Sequence, residues 1–175
     1  MPDHAAAPQG ALPYKVAVLC DLRDAAGRIL LIRRLKSPNQ GLCSPIGGKL
    51  DMHTGESPAQ CARREIHEEA GIDVPLSRIR LGGMIAEKAF EGNGHWLLFW
   101  FRVMGPVEVE PRTIREGALE WHAEEEIDRL PLPDTDRRVI WPLVRRHVRE
   151  DRGFFAVHID CSGGDLRWTV EQTDG

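Results

Sequence analysis

The segment at residues 47–72, GGKLDMHTGESPAQCARREIHEEAGI, constrains the fold of this chain more than any other. Ser57 is a suitable N-cap, and Gln60 three residues later completes a capping box that satisfies free N–H groups at the start of a helix. Gly71 is placed to end the same helix in the left-handed conformation. The sequence therefore predicts a helix over Pro58–Ala70 that follows a glycine-containing loop.

Three glutamates, Glu65, Glu68 and Glu69, lie at positions i, i+3 and i+4 of this helix and are expected to share a face. Like charges at these spacings cost about 0.2–0.5 kcal/mol per pair, and Arg64 offsets only Glu68 at i+4. A hard divalent cation removes the repulsion, since Mg²⁺ prefers oxygen ligands. Taken alone, the spacing leaves two interpretations open, a metal site and a solvated acidic face.

The residues around the glutamates resemble the signature of the Nudix hydrolases, the MutT-type family. From the first glutamate onward the match is complete, and it comprises Glu56, Arg64, Glu65, Ile66, Glu68, Glu69, Gly71 and Ile72. Six fixed residues of this kind arise by chance in a chain of this length with odds on the order of 10⁻⁵. One departure precedes the helix: seven residues separate Gly48 from Glu56, where the family pattern has five, and the extra pair falls in the turn-like stretch 51–54.

The resemblance implies an α/β protein with the Nudix fold, an α/β/α sandwich around a mixed β-sheet. It also implies a hydrolase that uses Mg²⁺, or alternatively Mn²⁺, to cleave a nucleoside diphosphate linked to another group. Carried over by position, Arg64 orients the carboxylates and Glu56 supports the loop. Glu65 is our first choice for the general base among the three helix glutamates. The implied metal ligands are Glu65, Glu68, Glu69 and the backbone carbonyl of Gly47.

A weaker resemblance, over about residues 15–147, connects the chain to Nudix enzymes that hydrolyse oxidised purine nucleoside triphosphates. It implies that Glu116 is a further metal ligand or base. Ser44 stands where a base-reading Asn is found in those enzymes, and a hydroxyl cannot make the bidentate contact that an amide makes. The default substrate is therefore a (deoxy)nucleoside triphosphate, cleaved to monophosphate and pyrophosphate, with no base assigned. The implied substrate contacts are Arg34, Lys49, Ser44 and Asp134, with Asp136 as an alternative to Asp134.

Simpler interpretations stand beside these roles. Glu116 is equally consistent with a loop charge, and Asp134 with an N-cap for the following helix. At the level of function, two alternatives remain: a nucleotide-binding sensor that does not hydrolyse, and an isoprenyl diphosphate isomerase-like enzyme that uses Cys43. The complete set of helix glutamates favours a hydrolase, because binding-only modules usually lose part of that set.

The composition of the chain limits the classes of binding partner that we expect. The chain has 27 acidic and 23 basic residues and a net charge of −4, so no stable nucleic-acid partner is expected, because phosphate affinity comes mostly from clustered Lys and Arg. The longest apolar run, Trp96–Phe101, is far shorter than the ~20 residues that span a bilayer, so no membrane partner is expected. Four cysteines without a CxxC pair indicate reduced thiols in a cytoplasmic protein. A monomer or homodimer that binds a small nucleotide is expected.

Strand and helix patterns interleave along the chain and predict a single domain at 14–175, preceded by a loose tail at 1–13. Its C-terminal part is expected to form a β-hairpin at about 153–171. Pro142 predicts that the helix within 136–149 is kinked or begins near Trp141. Trp96 and the other apolar residues of the run 96–101 are expected to form a buried strand. The alternative is that one of these aromatic rings stacks on a nucleotide base.

Overall fold

The computed structural model describes residues 13–37, 39–149 and 151–174, so the predicted tail at 1–13 lies outside the described residues except for Pro13. Two α-helices are each joined to a π-helical turn: α1 (Pro58–Glu65) is followed by Ile66–Ala70, and α2 (Trp141–His147) is preceded by Asp136–Ile140. Short 3₁₀ turns lie at Leu76–Arg78 and Glu124–Arg129. The strands are β1 (Tyr14–Asp21), β2 (Ile29–Arg34), β3 (Cys43–Lys49), β4 (Ile79–Phe90), β5 (Gly94–Val103), β6 (Gly117–His122), β7 (Phe154–Asp160) and β8 (Arg167–Asp174).

The eight strands form one mixed sheet in the order β6-β2-β3-β1-β5-β4-β7-β8. β1 pairs in parallel with β5, and β4 pairs in parallel with β7, whereas the other neighbours are antiparallel. The register between β1 and β3 sets Leu19 opposite Gly47 and Val18 opposite Gly48. This pairing fixes the predicted glycine segment at the centre of the sheet.

Both faces of the sheet are covered, which confirms the predicted α/β/α sandwich. Along β2, Ile29 and Leu31 contribute to the core on one face, and Leu30 and Ile32 contribute to the core on the other. The first core is closed by apolar residues of α2 and its π turn, among them Val139, Ile140, Trp141 and Val144. The second is closed by α1 and its π turn through Cys61, Ala62, Ile66 and Ala70.

The carboxylate helix, as we name the segment Pro58–Ala70, has the predicted ends. Ser57 Oγ accepts a hydrogen bond from the Gln60 N–H (3.2 Å), and Gln60 Oε1 accepts one from the Ser57 N–H (2.8 Å). Gly71 ends the segment at φ 74°, in the left-handed region. The difference from the prediction is the π turn, which widens the helix over its last five residues. Such turns occur frequently at functional sites.

The C-terminal region follows the sequence patterns closely. The α-helix there begins at Trp141 with Pro142 in its first turn, as expected for a residue without an N–H to donate. The hairpin of β7 and β8 is present, and β8 extends to Asp174 rather than ending near residue 171. Every residue of β8 is exposed, because this strand is the edge of the sheet. Among the described residues, no helix is long and apolar enough to cross a membrane.

Candidate active site

A cavity of about 370 Å³ opens where β1 and β3 meet the end of the carboxylate helix. It reaches across the sheet to β4, β5 and the segment that precedes α2. A volume of this size is within the usual range for small-molecule sites. The lining includes seven of the residues that the sequence assigned to the site: Gly47, Glu65, Glu69, Glu116, Arg34, Lys49 and Ser44.

Two glycines let the carboxylates approach β3 closely. The Gly47 N–H donates a hydrogen bond to Glu69 Oε2 over 3.1 Å. A Cβ placed on Gly48 would lie 2.2 Å from Glu65 Oε1, so a larger residue at position 48 displaces this carboxylate. A Cβ on Gly47 would lie 2.0 Å from the Val18 carbonyl oxygen in the neighbouring strand. The glycine pair is therefore required by close packing on both sides of β3.

Burial dominates the protonation of the two glutamates that face the pocket. The pKa of Glu69 is raised to about 8, chiefly by burial and also by the neighbouring charges of Glu65 and Glu116, while the Gly47 N–H and Arg34 oppose the rise. Burial also raises the pKa of Glu65, although the adjacent Arg64 guanidinium lowers it. Two desolvated carboxyl groups side by side are unfavourable as anions unless a cation joins them.

Arg64 ties the loop before the helix to the carboxylates. Its Nε and Nη2 donate to both oxygens of Glu56 (3.1 and 2.6 Å), and its Nη1 donates to Glu65 Oε1 over 2.7 Å. These contacts hold the pKa of Glu56 at about 2. Glu56 Oε1 also accepts the Asp51 N–H (2.7 Å) at the start of the lengthened turn. The lengthened turn is thus connected at its start to Glu56 and, through Glu56, to Arg64 of the helix.

Glu68 is oriented differently from its two neighbours. Its side chain is 55% exposed, contacts Arg64 Nη1 over 3.4 Å and does not line the cavity. The sequence predicted one face for all three glutamates on the assumption of a regular α-helix. The wider π turn keeps Glu69 above Glu65 and directs Glu68 towards solvent.

The remaining sequence-assigned residues lie around the cavity. Arg34 and Glu116 are close enough to Glu69 to act on its pKa with opposite signs. Lys49 Nζ lies 5.9 Å from the Trp96 ring centre, and Lys15 Nζ lies 5.1 Å from the same ring. Trp96 packs against the core as expected but is only partly buried, and it also lines the cavity with two ammonium groups near its ring.

The structure separates Asp134 from Asp136. Asp134 is exposed and does not line the cavity, and the turn that follows has no side-chain N-cap hydrogen bond. Asp136 is 7% exposed and lines the cavity, where the Thr135 hydroxyl donates to its Oδ1 over 3.4 Å. Of the two residues that the resemblance offered, the second reaches the pocket.

Glu87 is a pocket residue that the sequence analysis did not single out. It is 4% exposed on β4 and lines the cavity beside Asp136. Burial raises the pKa of Glu87 to about 7 against a hydrogen bond from Thr135, and burial together with Glu87 raises the pKa of Asp136 to about 8. The available signal was a glutamate at an inward position of a largely apolar strand, since such residues are rarely buried without a function.

The donors at the helix end of the cavity fit a hard divalent cation. Glu65 and Glu69 are buried together, and Glu116 adds a third negative charge near Glu69. Carboxylate oxygens are the ligands that Mg²⁺ prefers. The close approach at Gly48 leaves no room for a side chain that would fill this space. Cys43, the residue that an isomerase-like mechanism would use, is buried in the core and does not line the cavity.

Comparison with known proteins points to one family. A family model for the NUDIX domain matches residues 13–143. The octanoyltransferase of Myxococcus xanthus is 34% identical over 117 residues, which are 62% of this chain and 30% of that protein. The uncharacterized Nudix hydrolase YvcI of Bacillus subtilis (strain 168) is 28% identical over 109 residues, 61% of this chain and 66% of the relative. The matched part of the chain thus spans less than two thirds of either relative.

Solved structures agree with the family match. The MutT protein from Bacillus halodurans has a TM-score of 0.71 and 25% identity, over 90% of this chain and 97% of that one. The MutT protein from Methanosarcina mazei Go1 has a TM-score of 0.66 and 26% identity, over 77% and 95% of the two chains. The predicted MutT-type resemblance and mixed-sheet fold are therefore confirmed, and the chain belongs to the NUDIX domain family.

Proposed function

We propose that this NUDIX domain is a Mg²⁺-dependent pyrophosphohydrolase that cleaves a (deoxy)nucleoside triphosphate to the monophosphate and pyrophosphate. The observation that carries the proposal is the close approach of Glu69 to Gly47 and of Glu65 to Gly48 within one cavity. The same cavity continues to Trp96 and Asp136, so it offers separate ends for a charged and an aromatic group.

At the charged end, Glu65, Glu69 and Glu116 are the residues that would hold Mg²⁺, with Glu68 and the Gly47 carbonyl as the further ligands that the family resemblance implies. When bound, Mg²⁺ supplies positive charge that neutralises phosphate oxygens and lowers the pKa of water at the site. Arg64 fixes the orientation of Glu65 through its 2.7 Å contact. Arg34 and Lys49 line the same cavity and offer positive charge to a phosphate chain.

Glu65 is the proposed general base, because the two buried glutamates differ in how readily they ionise. Arg64 contributes positive charge directly to Glu65 and opposes the rise of its pKa. Glu69 has a pKa of about 8 and its carboxylate accepts the Gly47 N–H, whereas the carboxylate of Glu65 has the Arg64 guanidinium in direct contact. A base must be ionised at the operating pH and within reach of the attacking water.

At the other end, Trp96 offers an aromatic surface for a base, and Asp136 with Glu87 offers polar groups for its edge. Ser44 on β3 also lines the cavity and offers one hydroxyl. Asp136 takes the place that the sequence analysis gave first to Asp134. We propose these four residues as contacts to the nucleoside and the carboxylate end as the contact to the phosphates.

Product analysis tests the proposal. The protein is incubated with Mg²⁺ or Mn²⁺ and a panel of (deoxy)nucleoside triphosphates, 8-oxo-dGTP, ADP-ribose, diadenosine polyphosphates and coenzyme A. We expect monophosphate and pyrophosphate from a triphosphate, loss of turnover in Glu69→Gln, and retention in the exposed control Glu125→Gln. Orthophosphate as the first product, or turnover of ADP-ribose in preference to every triphosphate, would contradict the proposal. Nucleotide binding without any turnover would instead support the sensor alternative.

A further inference from the structure

A second group of metal-ligating side chains lies outside the cavity, on the outer half of the sheet. Along β2, Ile29, Leu31 and Arg33 alternate and so share one face. Their partners in the neighbouring strands share that face: Cys43 lies opposite Arg33, Glu120 opposite Leu31, and His122 opposite Ile29. The strand register thus brings a thiol, a carboxylate and an imidazole together over β2.

The ligand atoms of these three side chains all lie within 4.8 Å of one another. His122 Nε2 and Glu120 Oε2 are 3.1 Å apart, and the Cys43 thiol is not in a disulfide. Zn²⁺ binds thiolate sulfur at about 2.3 Å and nitrogen or oxygen at about 2.0–2.2 Å. Small rotations of the three side chains therefore bring one ligand atom from each to a single ion.

We propose that Cys43, Glu120 and His122 form a second metal site that takes a borderline transition-metal ion such as Zn²⁺. A thiolate and an imidazole select such an ion over Mg²⁺, which prefers oxygen ligands only. The site is distinct from the pocket carboxylates, because none of its three residues lines the cavity. Three protein ligands leave a fourth position for water.

Arg33 supports this site from outside the ligand set. Its Nε and Nη2 donate to Glu120 Oε1 (3.2 Å) and Oε2 (3.0 Å) and hold the carboxylate in one orientation. Metal-binding carboxylates are commonly held by hydrogen bonds of this kind. The Arg33 side chain is 39% exposed, so water screens its positive charge, whereas the Cys43 thiol is buried. The metal and Arg33 together balance the negative charges of thiolate and carboxylate.

Metal binding changes two features of these side chains, the protonation of Cys43 and the contact between His122 and Glu120. The Cys43 thiol, whose pKa is raised by burial and by the charge of Glu120 and lowered by Arg33, releases its proton to solvent when the sulfur binds the metal. The contact between His122 and Glu120 opens so that each turns to the ion. A bound ion then connects β3 to β6 across β2, at the edge of the sheet that β6 forms. Its expected effect is on the stability of this edge rather than on the hydrolytic step.

Cobalt provides the test, because Co²⁺ occupies zinc sites and a thiolate ligand gives a charge-transfer band in the near ultraviolet. The reduced full chain, with Mg²⁺ in excess, is titrated with Co²⁺ and then with Zn²⁺. We expect the band to saturate at one equivalent and to disappear as Zn²⁺ displaces Co²⁺. The variant Cys43→Ser should lack the band, whereas the matched control Cys161→Ser, at a half-buried thiol elsewhere, should keep it.

Two further variants separate this site from the other donors of the chain. His122→Ala removes a ligand at the partly exposed side of the site and should weaken Zn²⁺ binding at least about tenfold. The double variant Glu65→Gln/Glu69→Gln should retain the band, because its substitutions change only the pocket. Absence of the band in the unsubstituted chain, its persistence in Cys43→Ser, or unchanged Zn²⁺ affinity in His122→Ala would overturn the proposal.

Discussion

Two pairs of buried carboxyl groups face the same cavity, and their surroundings differ. Glu65 and Glu69 have the Gly47 N–H, the Arg64 guanidinium and the charge of Arg34 near them. In the described part of the chain, the only group that lowers the pKa of Glu87 or Asp136 is Thr135. The first pair lies among donors and positive charges, and the second, among the described residues, has only the Thr135 hydroxyl to oppose the rise of its pKa values.

This difference assigns different chemistry to identical functional groups. Burial raises the pKa of carboxyl groups in both pairs, to about 8 for Glu69 and to about 8 for Asp136, but of the two described pairs only the first has guanidinium groups and a backbone N–H that favour its anionic form when a cation binds. A protonated carboxyl group donates a hydrogen bond as well as accepting one. We therefore expect the first pair to act on the phosphates and the second to bind the uncharged part of the ligand.

The largest expected effect is on turnover. Glu65→Gln and Glu69→Gln should each lower kcat by about 10²–10⁴-fold, because each removes a charge that the reaction needs at the phosphate end. Steady-state kinetics with the best triphosphate of the panel measure this, and KM should change much less than kcat. Glu125→Gln, at an exposed position outside the cavity, serves as the control. A change in KM alone would remove the distinction between the two pairs.

The next effect is on affinity. Asp136→Asn should raise KM by about 5–150-fold, since a good polar contact to a base is worth about 1–3 kcal/mol, and should leave kcat within a few-fold. The companion variant Asp134→Asn changes an exposed side chain two residues away and should have little effect. The reverse result, with Asp134→Asn the more damaging, would favour the sequence-based assignment over the structural one.

A third effect is on the pH dependence of folding. Glu87 and Asp136 have pKa values of about 7 and about 8 in the folded chain, against about 4 in an unfolded one. The folded state therefore holds more protons between these limits, and this contribution to stability is lost as the pH rises towards 8. Denaturant unfolding at pH 5 and pH 8 should show Glu87→Gln more stable than the unsubstituted chain at pH 8 by about 1–3 kcal/mol. Parallel stability curves for the two proteins would show that Glu87 is ionised in the fold.

The smallest expected effect is the increase in Tm when Mg²⁺ is added. Mg²⁺ at about ten times its dissociation constant should raise the Tm of the unsubstituted chain and of Glu87→Gln by about 3–6 °C, because it binds only the folded state. Glu69→Gln should show little of this shift. Calorimetric scans with and without Mg²⁺ make the comparison, and equal shifts in all three proteins would place the cation elsewhere.

The local features of the fold were predictable from the sequence. The carboxylate helix was placed from Ser57, Gln60 and Gly71, because capping interactions lie within a few residues of one another. A kink or helix start near Trp141 was predicted from Pro142 for the same reason, and the change from π turn to α-helix falls at that residue. The order of the eight strands was not predictable, because it depends on pairings such as that of β1 with β5, which are distant in sequence.

The family motif predicted the carboxylates of the helix better than the residues at the other side of the cavity. Glu65 and Glu69 follow from the motif, whereas the exposure of Glu68 depends on a π turn that only packing decides. The choice between Asp134 and Asp136 depends on the three-dimensional path of one turn. Glu87 was not predicted, because its burial on β4 depends on α2 and the neighbouring strands, which cover that face only in the folded chain.

The distinction between the two pairs is tested most directly by following each carboxyl group itself. Carbon-detected NMR titration of the side-chain carboxyls, with and without Mg²⁺, reports the protonation of Glu65, Glu69, Glu87 and Asp136 separately. We expect Mg²⁺ to move the titration of Glu65 and Glu69 to lower pH and to leave Glu87 and Asp136 protonated near pH 6. Ionised Glu87 and Asp136 at that pH, or an equal response of both pairs to Mg²⁺, would contradict the division of roles.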